Sequence, residues 1–182
     1  MGQTAEKIIK LDRAKLLRIL NEAFAEEWLA YYQYWIGAKI VAGLHRKIVE
    51  DEFMEHAEEE LEHAKKIADR IIQLGGTPLI DPKEWDKNAR CKYLPPKDTN
   101  NLVMLKQNLQ SERCAIMRYK EICDMCAGGK DQVTFHMAYH IMQEELEHEH
   151  DIEDLIADLE DPMVDISSKK SAPKKVASKK KK

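Results

Sequence analysis

The strongest constraint on this chain is a pattern that occurs twice. Glu60 and His63 form a Glu-x-x-His pair, and so do Glu145 and His148. Each pair lies 33 residues after a lone glutamate, Glu27 or Glu112, which is itself followed seven residues on by a tyrosine, Tyr34 or Tyr119. Residues three apart on a helix share a face about a turn apart, so both members of a Glu-x-x-His can point into one cavity. A four-helix bundle in which two helices each give a glutamate and two each give a Glu-x-x-His holds two metal ions. Four carboxylates and two imidazoles make a hard, oxygen-rich set, better suited to iron or manganese than to zinc or copper(I). The four negative charges balance two divalent ions.

A competing reading is a solvated helix face, since 34% of the chain is charged. Glu147 and His150 illustrate it: their neighbours at helical spacing are Gln143, Asp151, Asp154 and Asp158. Glu145 shares its stripe instead with Ile141, Ile152, Leu155 and Leu159. Glu60 sits among Phe53, Ala57, Ala64, Ile67 and Ile71, Glu27 among Leu20, Phe24, Ala30 and Val41, and Glu112 among Leu105, Leu109, Ala115 and Ile116. These four positions face an apolar interior. Desolvating an isolated carboxylate costs several kcal/mol, so four anions on four core faces imply a cation among them.

The chain has 182 residues, 43% of them hydrophobic, which suits one domain with a single core. Hydrophobic periodicity and capping residues predict an all-α fold with helix A over 12–41, helix B over 46–74 before Gly75-Gly76, helix C from Asp98 or Thr99 to Gly128-Gly129, and helix D over 131–159. Residues 77–97, with Pro78, Pro82, Pro95 and Pro96, read as a long crossover holding one short helix over 82–90. Two hairpins joined by one crossover is a recognised bundle connectivity. The expected division is a bundle over 1–165 and a disordered lysine-rich tail over 166–182. No membrane-spanning run or signal peptide is visible, which points to a cytoplasmic protein. The two tyrosines fit either ordinary core packing or hydroxyls that bond a ligand carboxylate across the bundle.

On these residues the chain resembles the ferritin-like superfamily over about residues 12–160, and specifically its bacterioferritin-type di-iron centre. The resemblance implies that Glu27 and Glu112 are terminal ligands, that Glu60 and Glu145 bridge, and that His63 and His148 each bind one iron, with manganese as the other metal of this ligand class. Leu61 stands where bacterioferritins carry a haem-ligating methionine, so no haem is expected. No fifth helix is expected after helix D. The chain is therefore most similar to the Dps-like ferritins, which implies a homo-oligomeric shell of twelve subunits. Those proteins carry a cysteine pair near the metal site, which implies a redox pair of Cys91 and Cys114. Cys123 and Cys126 read as small buried hydrophobes, and no second C-x-x-C exists to build a rubredoxin-like module.

The tail contains Lys169, Lys170, Lys174, Lys175, Lys179, Lys180, Lys181 and Lys182 and no acids. Without it, 21 basic residues face 33 acidic ones. Such a tail reads as a DNA-binding arm, as a solubilising segment, or as one that folds back on its own acidic body. The expected activity is that of a ferroxidase: Fe(II) is oxidised by hydrogen peroxide or dioxygen, mineral is stored in the shell, and the cell is protected from oxidative stress. Glu58-Glu59 and Glu144 with Glu147 are candidates for lining the access route, or plain wet surface. Two other readings use the same residues: a manganese catalase that disproportionates peroxide, and a chiefly DNA-compacting protein.

Overall fold

The computed structural model describes residues 2–161, and all the regular elements among them are helical. These are α1 (Gln3–Ile8), α2 (Arg13–Ile40), α3 (Arg46–Gln73), α4 (Trp85–Asn88), α5 (Asn101–Cys126) and α6 (Gln132–Glu160). The lysine tail and the expected boundary at 165/166 lie outside the described residues.

Helix starts follow the capping chemistry. The Asp12 side chain accepts from the amides of Ala14 and Lys15, Asn100 from those of Leu102 and Val103, and Asp131 from that of Thr134. Two expectations need correction. Helix α5 starts at Asn101, capped by Asn100, and not at Asp98 or Thr99. The reason is tertiary: Ala42 N donates to Thr99 O at 2.7 Å and Asn101 N to Ala42 O at 2.9 Å, which keeps residues 99 and 100 extended against the α2–α3 loop. The short α1 was also not expected; it precedes the first long amphipathic stretch, and Lys10 N, just beyond it, donates to Lys130 O at 2.8 Å. The predicted short helix of the crossover is a 3-10 turn over Pro82–Glu84 followed by α4. At the other end of α3, Gly75 takes the left-handed φ of 74° that a glycine tolerates, and the amides of Gly75 and Gly76 close on Ile72 O and Ile71 O.

Helices α2 and α3 form one hairpin and α5 and α6 the other, and residues 74–100 cross between them. Two buried polar side chains of α2 hold that crossover down. Glu26 receives Arg118 of α5 in a two-pronged ion pair, both contacts at 2.8 Å, and also accepts from Arg90 N and Cys91 N. Gln33 donates to Asn108 and Ser111 and accepts from Leu94 N. Trp85 of α4 stacks on Trp28 of α2 at 5.1 Å.

The apolar core is split in two. One cluster includes Leu16, Leu20, Ile67, Ile71, Ile122 and Ile141; the other includes Val49, Phe53, Met104, Leu105 and Ile152. Each fully buried aliphatic or aromatic side chain contributes about 1.5–3 kcal/mol. Between the two clusters lies a layer of buried charge, and it contains the candidate site.

Candidate metal centre

Every one of the six sequence-predicted ligands is buried, none more than 2% exposed. Glu27 comes from α2, Glu60 and His63 from α3, Glu112 from α5, and Glu145 and His148 from α6. They converge as two overlapping groups. Glu27, Glu60, His63 and Glu145 place ligand atoms within 4.8 Å of one another, and so do Glu60, Glu112, Glu145 and His148. Glu60 and Glu145 belong to both.

The two histidines are arranged alike. His63 turns Nδ1 inward, 3.1 Å from Glu60 and from Glu145 and 3.4 Å from Glu27, while its Nε2 lies 2.9 Å from Glu144. His148 turns Nδ1 toward Glu112 at 3.5 Å, Glu145 at 3.6 Å and Glu60 at 3.8 Å, while its Nε2 lies 2.5 Å from Glu59. A carboxylate behind the ring fixes an imidazole's tautomer and aim, which is how metal-binding histidines are normally held. The tyrosines act across the bundle: Tyr34 donates to Glu112 and Tyr119 to Glu27.

Electrostatics show how poorly this cluster is satisfied by protein alone. Burial pushes the Glu60 carboxyl well above the carboxylate range, and repulsion from Glu145 and Glu27 adds to it. Burial likewise raises Glu112, with Glu145 again contributing. For Glu145, burial is outweighed by the nearby imidazoles of His148 and His63, which hold its carboxyl low. For both histidines burial opposes the charged form, yet the surrounding carboxylates hold their pKa well above the ordinary imidazole value. Burial and the adjacent carboxylates also raise the phenols of Tyr34 and Tyr119 far above the usual range. Glu27 Oε2, Glu112 Oε2, both oxygens of Glu145 and His148 Nδ1 are buried without a hydrogen-bond partner. Orphaned acceptors around inward-facing imidazoles are what a pair of divalent cations would satisfy, and the donor set fits iron or manganese.

A small pocket reaches the cluster from beneath the crossover, lined in part by Ala30, Glu27, Glu60, Glu112, Ser111 and Cys91. At its rim Cys91 and Cys114 form a disulfide, while Cys123 and Cys126 are free and buried. The third Glu-x-x-His is on the surface: Glu147 and His150 are exposed, and His150 approaches Asp154 at 3.7 Å.

Glu59 and Glu144 lie behind the histidines, each within hydrogen-bond distance of an Nε2. A signal for them exists in the chain: the two halves align at an offset of 85 positions, which superposes 27 on 112, 34 on 119, 60 on 145, 63 on 148 and also 59 on 144. His56, wholly buried and stacked on His148 with ring centroids 4.0 Å apart, is a further residue the ligand pattern does not identify. Its spacing of four and seven from Glu60 and His63 puts it on the same stripe.

Comparison with known proteins agrees with this geometry. The sequence model of the ferritin-like domain family matches residues 17–161. The DNA protection during starvation protein of Pyrococcus furiosus is 36% identical over 148 residues, 80% of this chain and 79% of that protein. The bacterioferritin of Rhodobacter capsulatus is 28% identical over 74% of this chain and 78% of its own. Among solved structures, the bacterioferritin-related protein of Bacteroides fragilis, described as a dodecameric thioferritin, superposes with a TM-score of 0.84 at 51% identity, covering 87% of this chain and 95% of that one.

Proposed function

The chain belongs to the ferritin-like family, and on that premise we propose that it is a Dps-like ferroxidase and iron-storage protein that protects against oxidative stress. The observation that carries this reading is the buried layer of four carboxylates and two imidazoles, in which oxygens of Glu27, Glu112 and Glu145 and Nδ1 of His148 lack hydrogen-bond partners. In this reading Glu27 and Glu112 each hold one Fe(II) substrate ion, Glu60 and Glu145 bridge the two, and His63 and His148 each complete one seat.

Each Fe(II) gives up one electron, and hydrogen peroxide or dioxygen accepts them; with peroxide, two Fe(II) and one H2O2 yield two Fe(III) and two hydroxide ions. The buried carboxylates lower the cost of the extra positive charge on the ferric product in a site where little water can do so. Tyr34 and Tyr119 steady the terminal glutamates, and Glu59 and Glu144 steady the imidazoles, so the ligands are in place before substrate arrives. Cys91 and Cys114, beside the pocket, act as a redox pair. The product is stored inside a twelve-subunit shell, a state supported by the dodecameric Bacteroides fragilis relative. The lysine tail, outside the described residues, binds DNA electrostatically, and the Pyrococcus furiosus relative's name supports that part. No helix among the described residues is long and apolar enough to cross a membrane; cytoplasmic residence is part of the proposal.

The test is anaerobic loading with two Fe(II) per chain followed by peroxide or by air, reading ferric absorbance and peroxide consumption. Fast oxidation that the Glu60→Ala, Glu145→Ala variant loses supports the reading. Iron oxidation no faster than in buffer, with oxygen evolved from peroxide by the manganese-loaded protein, overturns it in favour of a catalase.

A further inference from the structure

The 85-residue offset that superposes the ligand positions does not extend to every neighbour of the cluster. Position 56 is histidine where its counterpart, 141, is isoleucine; position 151 is aspartate where its counterpart, 66, is lysine; and position 52 is glutamate where its counterpart, 137, is methionine. These three residues, none of which has a like counterpart, lie together. Glu52, His56 and Asp151 place ligand atoms within 4.8 Å of one another, one turn from the di-metal layer. The symmetric position on the other side holds an apolar pair and a cation, Lys66, which bonds Glu144 at 2.7 Å.

His56 is 0% exposed, and neither ring nitrogen makes an aligned hydrogen bond, although Nε2 lies 3.1 Å from Glu52 Oε1. Leaving a buried polar group unsatisfied costs about 1–3 kcal/mol. The ring cannot turn away, because it is held between the edge of Tyr34, at 5.1 Å, and the face of His148, at 4.0 Å. Glu52 and Asp151 are half-buried, so this trio connects the buried layer to the surface.

We propose that Glu52, His56 and Asp151 form a third divalent-cation site, beside the candidate pair and separated from it by the stacked rings of His56 and His148. Two carboxylates balance one divalent charge, and a single imidazole with two carboxylates suits Fe(II), Mn(II) or Co(II), with water filling the remaining positions. Ligands of an octahedral ion stand about 3 to 4.2 Å apart, so a spread of 4.8 Å closes with small rotamer changes. A group of His56, Glu112 and His148 lies within the same limit on the inner side, so the His56 ring faces both sites. A cation here is positioned to wait next to the pair, which deepens the ferroxidase reading and rests on it.

The test is anaerobic Co(II) titration of the full-length assembly, with bound metal counted after equilibrium dialysis and the visible spectrum recorded. Wild type should bind three Co(II) per chain, and His56→Ala and Asp151→Asn should each bind two. Asp151→Asn changes a half-buried side chain of nearly the same shape, so it reports on the site even where His56→Ala disturbs folding. A variant that retains wild-type stoichiometry, or a wild type that binds only two, overturns the third site. The Glu60→Ala, Glu145→Ala variant separates the two claims: it should keep one Co(II) that depends on His56. An undiminished stoichiometry in that variant would sink the di-metal reading, and the His56 site would still be judged on its own two substitutions.

Discussion

His63 and His148 each carry a raised pKa while pointing Nδ1 at carboxylates, and Glu60 is raised as well. A metal ion binds the deprotonated forms, so the raised values make protons compete with metal for these groups. Co(II) affinity should therefore fall about tenfold for each pH unit of acidification, with protons released on loading. A weakly buffered titration with an indicator dye measures both, and a pH-independent affinity with no proton release would contradict the assignment. Replacing Tyr34 or Tyr119 by Phe removes the hydroxyl from Glu112 or Glu27 with little change of volume. Metal affinity or oxidation rate should drop about 10- to 100-fold, while the melting temperature changes far less; equal loss of both would mean the hydroxyls serve packing alone. The six candidate ligands were legible in the chain because helical spacing and apolar neighbours together mark a buried charge. Periodicity alone does not single out Glu59, Glu144 or His56, because it assigns a residue to a face but does not say which side chain at its border leans inward; the repeat adds a signal for the first two. The Glu59 and Glu144 carboxylates lean inward to meet imidazoles on the opposite hairpin, a tertiary fact.

At the scale of elements, one residue ties the start of α6 to α3. Asp131 caps α6, accepting from the amide of Thr134 at 3.1 Å and from its hydroxyl, and it also receives Arg70 of α3 at 2.7 and 2.9 Å. Losing the cap costs about 1 kcal/mol, and leaving Arg70 buried without its partner costs about 3–5 kcal/mol. Asp131→Ala should lower the melting temperature by roughly 8 to 24 °C, checked by calorimetry. Burial would raise the Asp131 carboxyl, but hydrogen bonds from Thr134 and Arg70 and the charge of Arg70 pull it below its ordinary 3.8. The unfolded chain thus binds the proton more readily, so this stabilisation is complete at neutral pH. It is lost as pH falls from 3.8 through the depressed folded value. Asp131→Asn should flatten that part of the acid unfolding curve, and an unchanged curve would count against the ion pair. The four long helices were readable from periodicity and caps to within one or two residues at most ends. The start of α5 was not, since the pairing of Ala42 with residues 99 and 101 overrides a good local cap at Asp98.

For the whole molecule, the surface and the internal symmetry have separate consequences. Tyr32, Trp35, Ile40 and Leu44 are exposed on α2 and the loop after it, apolar area of the kind that assembly covers. A twelve-chain shell of 21.1 kDa subunits should elute at about 250 kDa; a monomer would end the storage model. Deleting residues 167–182 should leave that assembly intact. It should also remove DNA binding, which in the full chain should weaken by orders of magnitude between 50 and 200 mM salt. Neither the shell nor the tail's role is legible in one sequence, because both depend on contacts with other molecules. The helical hairpins carry a last implication. Each contributes a glutamate and a Glu-x-x-His, yet each seat borrows its fourth ligand, Glu145 or Glu60, from the opposite hairpin. A backbone nicked in the crossover would yield two fragments, neither of which owns a complete coordination sphere. Metal would then behave as the solder of a split protein: its presence would favour reassociation of the halves, and chelation would let them part.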